Sequence, residues 1–282
     1  MSRWTKLGII AGGGALPVRI ADSLRAQQKP FFAIRMVGFG DAPDRSLGGE
    51  ECALGEFGKL LRLLRDNSCD AVVLAGAAER PDFSKVKTDW RGAAMLPRIL
   101  TAATRGDGAI LRAAVDALEA EGFLVIGADE AMGELVAREG ALGKFAPNAT
   151  DIEDIKKAVG LIEVLDPFDV GQAAVVAQGH VRAIEAAAGT DAMLAQCAAL
   201  PSSVKGGQPS GVIVKRPKPS QERRVDLPVI GPTTIARAHA AGLRGVAVEA
   251  GGALIIDREQ AITRADELSL FVYGFSKQNL LS

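Results

Sequence analysis

Residues 7–11, Leu, Gly, Ile, Ile and Ala, form an apolar run that stops at three consecutive glycines, Gly12, Gly13 and Gly14. Pro17 follows where a first helical turn has no use for its N–H, and Val18, Ile20, Ala21 and Leu24 then recur at helical spacing. Strand, glycine loop and helix in that order open a βα unit. They commit the first half of the chain to an open, Rossmann-like parallel sheet with flanking helices. Glycines let backbone amides approach a ligand closely, and the helix N-terminus behind them adds positive potential, so Gly12, Gly13 and Gly14 are candidate substrate contacts.

The βα rhythm continues. Residues 31–35 and 71–75 read as buried strands, 57–65 as a leucine-rich helix, and 123–126 as a fourth strand. Asp107 reads as the N-cap of a helix carrying Ile110, Leu111, Ala114, Val115 and Leu118 on one face. A parallel sheet gathers ligands at the carboxyl ends of its strands, which puts Gly76 and Arg80 opposite the glycine loop. Gly12 and Gly14 also match the start of a dinucleotide fingerprint. Pro17 stands where its third small residue belongs, however, and no carboxylate follows the second strand to read a ribose.

Composition shifts to Gly, Ala, Pro147 and Asn148 between residues 133 and 150. The expected division is an N-terminal domain over 1–134, a linker over 135–150 and a catalytic α/β domain over 151–282. In the second half Asp151 reads as an N-cap, and 172–177 with 181–184 as a hairpin turning at 178–180. Thr190 or Asp191 is suited to capping a further helix. Residues 246–250 and 253–256, joined by Gly251 and Gly252, read as a second hairpin. The fold class expected is therefore two-domain α/β, with antiparallel hairpins in the C-terminal part.

A charge-dense stretch follows the strand at 211–214. Lys205, Lys215, Arg216, Lys218, Arg223 and Arg224 surround Glu222 and Asp226, while Pro217, Pro219 and Pro228 exclude helix. Guanidinium forks and ammonium groups match phosphate oxygens, and acids embedded among them suit phosphate processing. With 33 Lys and Arg against 34 Asp and Glu, the net charge of −1 supplies no global field for nucleic acid, and one Tyr, two Trp and ten Phe leave few stacking platforms. An anion- or RNA-binding module and an NAD(P)-dependent or sugar-nucleotide-modifying oxidoreductase are the alternative readings. Three cysteines without paired spacing point to a reducing compartment, and no apolar run reaches the length of a spanning helix, so a cytoplasmic enzyme is expected.

The stretches 8–17, 106–107 with 111–112, 172 with 175–176, 185 with 189–191, and above all 214–218 with 221 and 224–232 resemble the bacterial UDP-2,3-diacylglucosamine diphosphatases of the LpxI type. The resemblance spans nearly the whole chain. It implies two α/β domains with the ligand between them and Mg²⁺- or Mn²⁺-dependent hydrolysis of a lipid-linked UDP-sugar to UMP and 2,3-diacylglucosamine 1-phosphate, a step of lipid A biosynthesis. It assigns Asp226 as the essential acid, with Lys215 and Arg224 as catalytic partners. Leu16, Gln172, Thr190, Lys218, Gln221 and Arg223 are implied as substrate contacts, and Asp226, Asp191 and Glu185 as metal ligands. The chain departs from the pattern at Gly108, where many members carry a second acid after the Gly-Asp pair, which argues against a metal role for Asp107. The lipid tails imply transient contact with the inner membrane surface and a peripheral location there, although no strongly basic amphipathic helix announces it.

Overall fold

A computed structural model of the chain describes residues 3–38, 42–77, 86–205 and 208–281. By its internal contacts the chain forms two units. One comprises Met1–Glu134 with Glu222–Asp226, the other Leu135–Gln221 with Leu227–Ser282. Arg80 lies outside the described residues.

The first unit is built on β1 (Leu7–Ala11), every residue of which is buried. Parallel strands on both sides account for that burial. β1 pairs with β2 (Phe31–Val37) and with β4 (Ala71–Ala75), Leu7 opposite Phe31 on one side and Ala71 on the other. β3 (Glu50–Ala53) and β5 (Leu124–Val125) extend the edges, giving the all-parallel order β3-β2-β1-β4-β5. Helices α1 (Leu16–Ala26), α2 (Phe57–Asp66), α3 (Trp90–Ala103), α4 (Asp107–Ala120) and α5 (Ala128–Met132) complete the unit. Leu60, Leu61 and Leu64 of α2 and Val115 and Leu118 of α4 pack on Ile10, Ile34, Val72 and Val125 of the sheet. This is why a leucine every third or fourth residue was a reliable helical signal.

The strand order reverses between β1 and β4, and there the glycines have a use other than ligand approach. Gly12 N–H donates to the Ala75 carbonyl at 2.8 Å, and Gly13 and Ala77 exchange a pair of hydrogen bonds, each 2.8 Å. A Cβ on Gly76, whose φ is +100°, would stand 2.5 Å from the Gly13 carbonyl oxygen. Gly14 also has positive φ, +83°, but faces open space. Gly76→Ala is therefore expected to destabilise the first unit by about 2 kcal/mol or more, combining backbone strain with a main-chain clash, and Gly14→Ala by about 1 kcal/mol from strain alone. Thermal unfolding of the two variants checks the order; equal losses would remove the close-approach explanation.

The second unit holds a six-stranded mixed sheet in the order β6-β13-β11-β9-β7-β8. Its strands are β6 (Gly140–Ala141), β7 (Ala173–Ala177), β8 (His180–Ile184), β9 (Val212–Lys215), β11 (Gly245–Glu249) and β13 (Phe271–Phe275). β9, β11 and β13 run parallel, while β7 is antiparallel to both β8 and β9. Period-two alternation places Val212 and Val214 in one core, beneath Ile155, Ala158, Val159 and Ile162 of α6 (Ala149–Leu165). Ile213 points into the other, with α7 (Gly189–Ala198), α9 (Pro232–Ala240) and α10 (Arg258–Glu267). The short helices α8 (Ser202–Lys205) and α11 (Lys277–Leu281) lie at connections.

The fold class read from the sequence is the one observed; several local readings change. The first hairpin forms, with Gln178 and Gly179 both at positive φ (51° and 76°) as a tight two-residue turn demands. Buried Asp154 accepts their amides at 2.8 and 2.7 Å. The second expected hairpin does not form: β11 has β9 and β13 on its two edges, and β12 (Leu254–Ile255) pairs instead with β10 (Val229–Ile230) in a separate parallel ladder. A fully buried apolar run carries no alternation that would tell a central parallel strand from a hairpin arm. The caps also shift. Asn148, not Asp151, is the N-cap of α6, and Asp151 answers it from the third position of a capping box. Gly106, not Asp107, is the N-cap of α4.

Candidate active site

A cavity of about 510 Å³ opens in the first unit at the carboxyl ends of β1 and β4, the switch point of the sheet. Gly12, Ala75, Gly76 and Ala77 form its floor. α4 contributes Asp107, Ile110, Leu111, Ala114 and Leu118, spaced so that one helix face lines the wall, and α3 contributes Gly92, Met95, Leu96 and Ile99 in the same way. Phe57, Leu60, Leu74 and Met36 add to a lining that is overwhelmingly aliphatic. Among the described residues two carboxylates reach this cavity: Asp107, at the first turn of α4, and Asp226, delivered with Val225 by the Glu222–Asp226 segment.

That segment is anchored on the first unit. The side chain of Val225 packs on the N-terminal core. Arg224 donates to Glu222 at 2.9 and 3.0 Å and to Glu119 of α4 at 2.6 Å. The hydrogen bonds from Arg224 hold the Glu222 carboxyl below the usual carboxylate range, and Glu222, then Glu119, raise the Arg224 guanidinium above its own. The main chain closes on itself through the Val225 and Asp226 amides, both 3.1 Å from the Glu222 carbonyl. Arg224 thus fixes the turn that presents Asp226, a role that the charge pattern alone did not reveal, while Arg223 is exposed.

In the second unit Lys215, Thr190, Glu185, Gln172, Gln221 and Lys218 form a partly buried polar chain. Lys215, 6% exposed, donates to Thr190 Oγ1 at 2.8 Å and to the Val229 carbonyl at 3.3 Å. Thr190 in turn donates to Glu185, whose other oxygen accepts the Gln172 amide at 2.9 Å. Gln172 receives the side-chain amide of Gln221 at 2.9 Å, and Gln221 accepts the Lys218 N–H at the same distance. Lys218 is paired with Asp169. Thr190 therefore does not cap α7, and neither does Asp191, which is exposed and paired with Arg237 of α9.

Glycines 13 and 14 and Leu16 lie in the loop and first turn between β1 and α1; of the sequence-derived residues, Gly12, Gly76 and Asp226 reach the cavity wall. α3 was not anticipated. It starts where Asp89 caps it, accepting Gly92 N–H at 2.8 Å and also binding the Lys59 amide at 3.0 Å. The Asp89–Trp90 junction is the signal that could have located it.

Among the described residues no three His, Cys, Asp or Glu side chains cluster as a ready-made metal cage. Glu185 and Asp191 are engaged as described above. Asp107 and Asp226, hard oxygen donors that both line the cavity, are of the kind a magnesium ion takes, one or two protein carboxylates with water and substrate phosphate completing the shell.

A parallel sheet whose switch-point cavity carries carboxylates, followed by a mixed-sheet unit, defines a two-domain α/β protein. The chain belongs to the LpxI family: residues 6–135 match the LpxI N-terminal domain and residues 138–273 the LpxI C-terminal domain. It is 46% identical over 275 residues, 97% of this chain and 98% of the relative, to a protein of Caulobacter vibrioides (strain ATCC 19089 / CIP 103742 / CB 15) named UDP-2,3-diacylglucosamine pyrophosphatase LpxI.

Proposed function

We propose that this chain is a UDP-2,3-diacylglucosamine pyrophosphatase of lipid A biosynthesis, adding water across the P–O–P bond to give UMP and 2,3-diacylglucosamine 1-phosphate. The name of the Caulobacter relative supports the substrate. The observation that carries the reading is the aliphatic cavity with two aspartates on its wall, because this substrate needs apolar volume for acyl chains beside charge-handling groups for a diphosphate.

In this scheme Asp226 and Asp107 would hold a magnesium ion, Asp107 serving because it lines the cavity with Asp226 although Gly108 departs from the family pattern, and the ion would supply neutralisation of charge on the diphosphate. Asp226 orients the attacking water or accepts its proton. Arg224 keeps Asp226 in place through the Glu222 and Glu119 contacts. Leu96, Ile99, Leu111 and Ala114 exclude water around the acyl chains. Among the described residues no helix is long and apolar enough to cross a membrane. The proposed setting is the cytoplasm, with transient contact at the inner membrane where the acyl chains reside.

The test is UMP release from the diacylated UDP-sugar with Mg²⁺, beside an EDTA control and substrates of graded acyl length. Release abolished by EDTA is expected, with KM rising about fourfold for each methylene removed, since burying one is worth about 0.8 kcal/mol. No UMP from the acylated substrate would refute the activity. Equal turnover of an unacylated UDP-sugar would refute the assignment of the cavity to acyl chains.

A further inference from the structure

α3 is apolar on two faces. Gly92, Met95, Leu96 and Ile99 face the cavity. The opposite face carries Trp90, Ala93, Ala94, Pro97, Leu100 and Thr101, all exposed, with Trp90 at 75% and Leu100 at 43%. An exposed tryptophan and leucine on one stripe of a soluble domain call for a partner, and Trp is the side chain that settles best at a lipid–water boundary.

Charge selects the partner. From Lys87 to Arg105 there are four cations, Lys87, Arg91, Arg98 and Arg105, against one acid, Asp89, which is turned inward as the helix cap. α3 itself contains no acid. The acids that answer from α4 and its end are Asp116, 2.8 Å from Arg98, and Glu121, which is shared at 2.6 Å between Arg91 and Arg65. Arg91 also lies 5.0 Å from the centroid of the Trp90 ring. Each guanidinium flanks the apolar stripe, the arrangement of an interfacial helix that lies in the headgroup layer of an anionic membrane.

We infer that the outer face of α3 docks on an anionic lipid bilayer, so that one helix stands with lipid on one side and the apolar cavity on the other. The surface assignment rests on the acyl-substrate reading above for its purpose, though not for its test. A docked α3 places the cavity wall next to the source of the acyl chains, and Met95, Leu96 and Ile99 are the side chains past which a chain would enter.

Trp90 is its own reporter. The other tryptophan, Trp4, is buried, so Trp90→Phe gives the Trp4 background. Vesicles of phosphatidylcholine containing phosphatidylglycerol are expected to shift Trp90 emission to the blue and to sediment the protein, while pure phosphatidylcholine vesicles bind at least about tenfold more weakly and added salt reverses binding. The surface variant carrying Trp90→Ala and Leu100→Gln is expected to bind anionic vesicles about tenfold more weakly. It should nevertheless hydrolyse detergent-dispersed substrate at the wild-type rate, because neither residue lines the cavity. Unchanged Trp90 emission on anionic vesicles would overturn the inference, as would loss of a dimer, rather than of vesicle binding, in the double variant. Vesicle binding without UMP release would leave the docking surface standing and overturn the proposed activity, so the two failures are distinguishable.

Discussion

Asp226→Asn is expected to lower kcat for UMP release about a thousandfold while leaving the fold intact, the size of effect seen when a positioned acid–base or charge-bearing group is removed. The amide keeps the volume and most of the hydrogen-bonding shape of the carboxylate and removes its charge. The loop that carries it has anchors besides that side chain: Val225 is packed in the N-terminal core, Arg224 is clamped by Glu222 and Glu119, and the Asp226 amide closes the turn on the Glu222 carbonyl. Thermal unfolding should therefore fall far less than kcat does. Asp107→Asn, in the same cavity lining but at a helix N-terminus, should lose less activity and require more Mg²⁺ for half-maximal rate. A turnover for Asp226→Asn within tenfold of wild type would withdraw Asp226 from the chemistry.

The sequence made the sheet legible and the cavity illegible, for one reason. β1 and β4 are buried by parallel neighbours on both edges, so their sequences are continuous apolar runs ending in glycine, a local signal. The cavity is made by what helices present to each other: Ala114 and Ile110 read as ordinary core positions whether or not space is left between them and α3. α3 was hidden for a different cause: Pro97 stands inside it, a residue that ordinarily ends or kinks a helix. The cationic stretch was visible as charge, but its partition was not. Lys215 and Arg216 are buried, Lys218 is paired, Arg223 is exposed, and Arg224 serves the turn that carries Asp226. Charge runs name the residue types available and leave their partners to the tertiary fold.

Arg216 shows what that partition means for stability, and Arg216→Ala carries the other large expected effect. Its side chain is 4% exposed and bridges Glu163 of α6, at 2.6 Å, to Glu249 of β11, at 2.9 Å. Its amide donates to the Gln172 carbonyl. Removing the guanidinium takes from the mostly buried Glu249 the cation it is bridged to, a loss of up to roughly 3–5 kcal/mol, which is a large part of the roughly 5–15 kcal/mol that holds a typical domain folded. Arg216→Met, which keeps packing without charge, should be nearly as damaging because Glu249 is only 15% exposed. The pH dependence carries the sign. The hydrogen bond from Arg216 is the first cause of the Glu163 carboxyl lying below its ordinary value, with Lys277 adding to it. A depressed carboxylate stabilises the fold above its unfolded pKa, and that stabilisation fades as pH falls through the folded value. Wild type should lose stability below about pH 4.5 more steeply than Arg216→Ala, whose Glu163 has lost the main cause of its shift. Hydrogen exchange of the β9 and β11 amides at pH 7 and pH 4 reads both effects. Protection in Arg216→Ala within about 1 kcal/mol of wild type at pH 7 would make the bridge a surface-like pair in energetic terms, despite its burial.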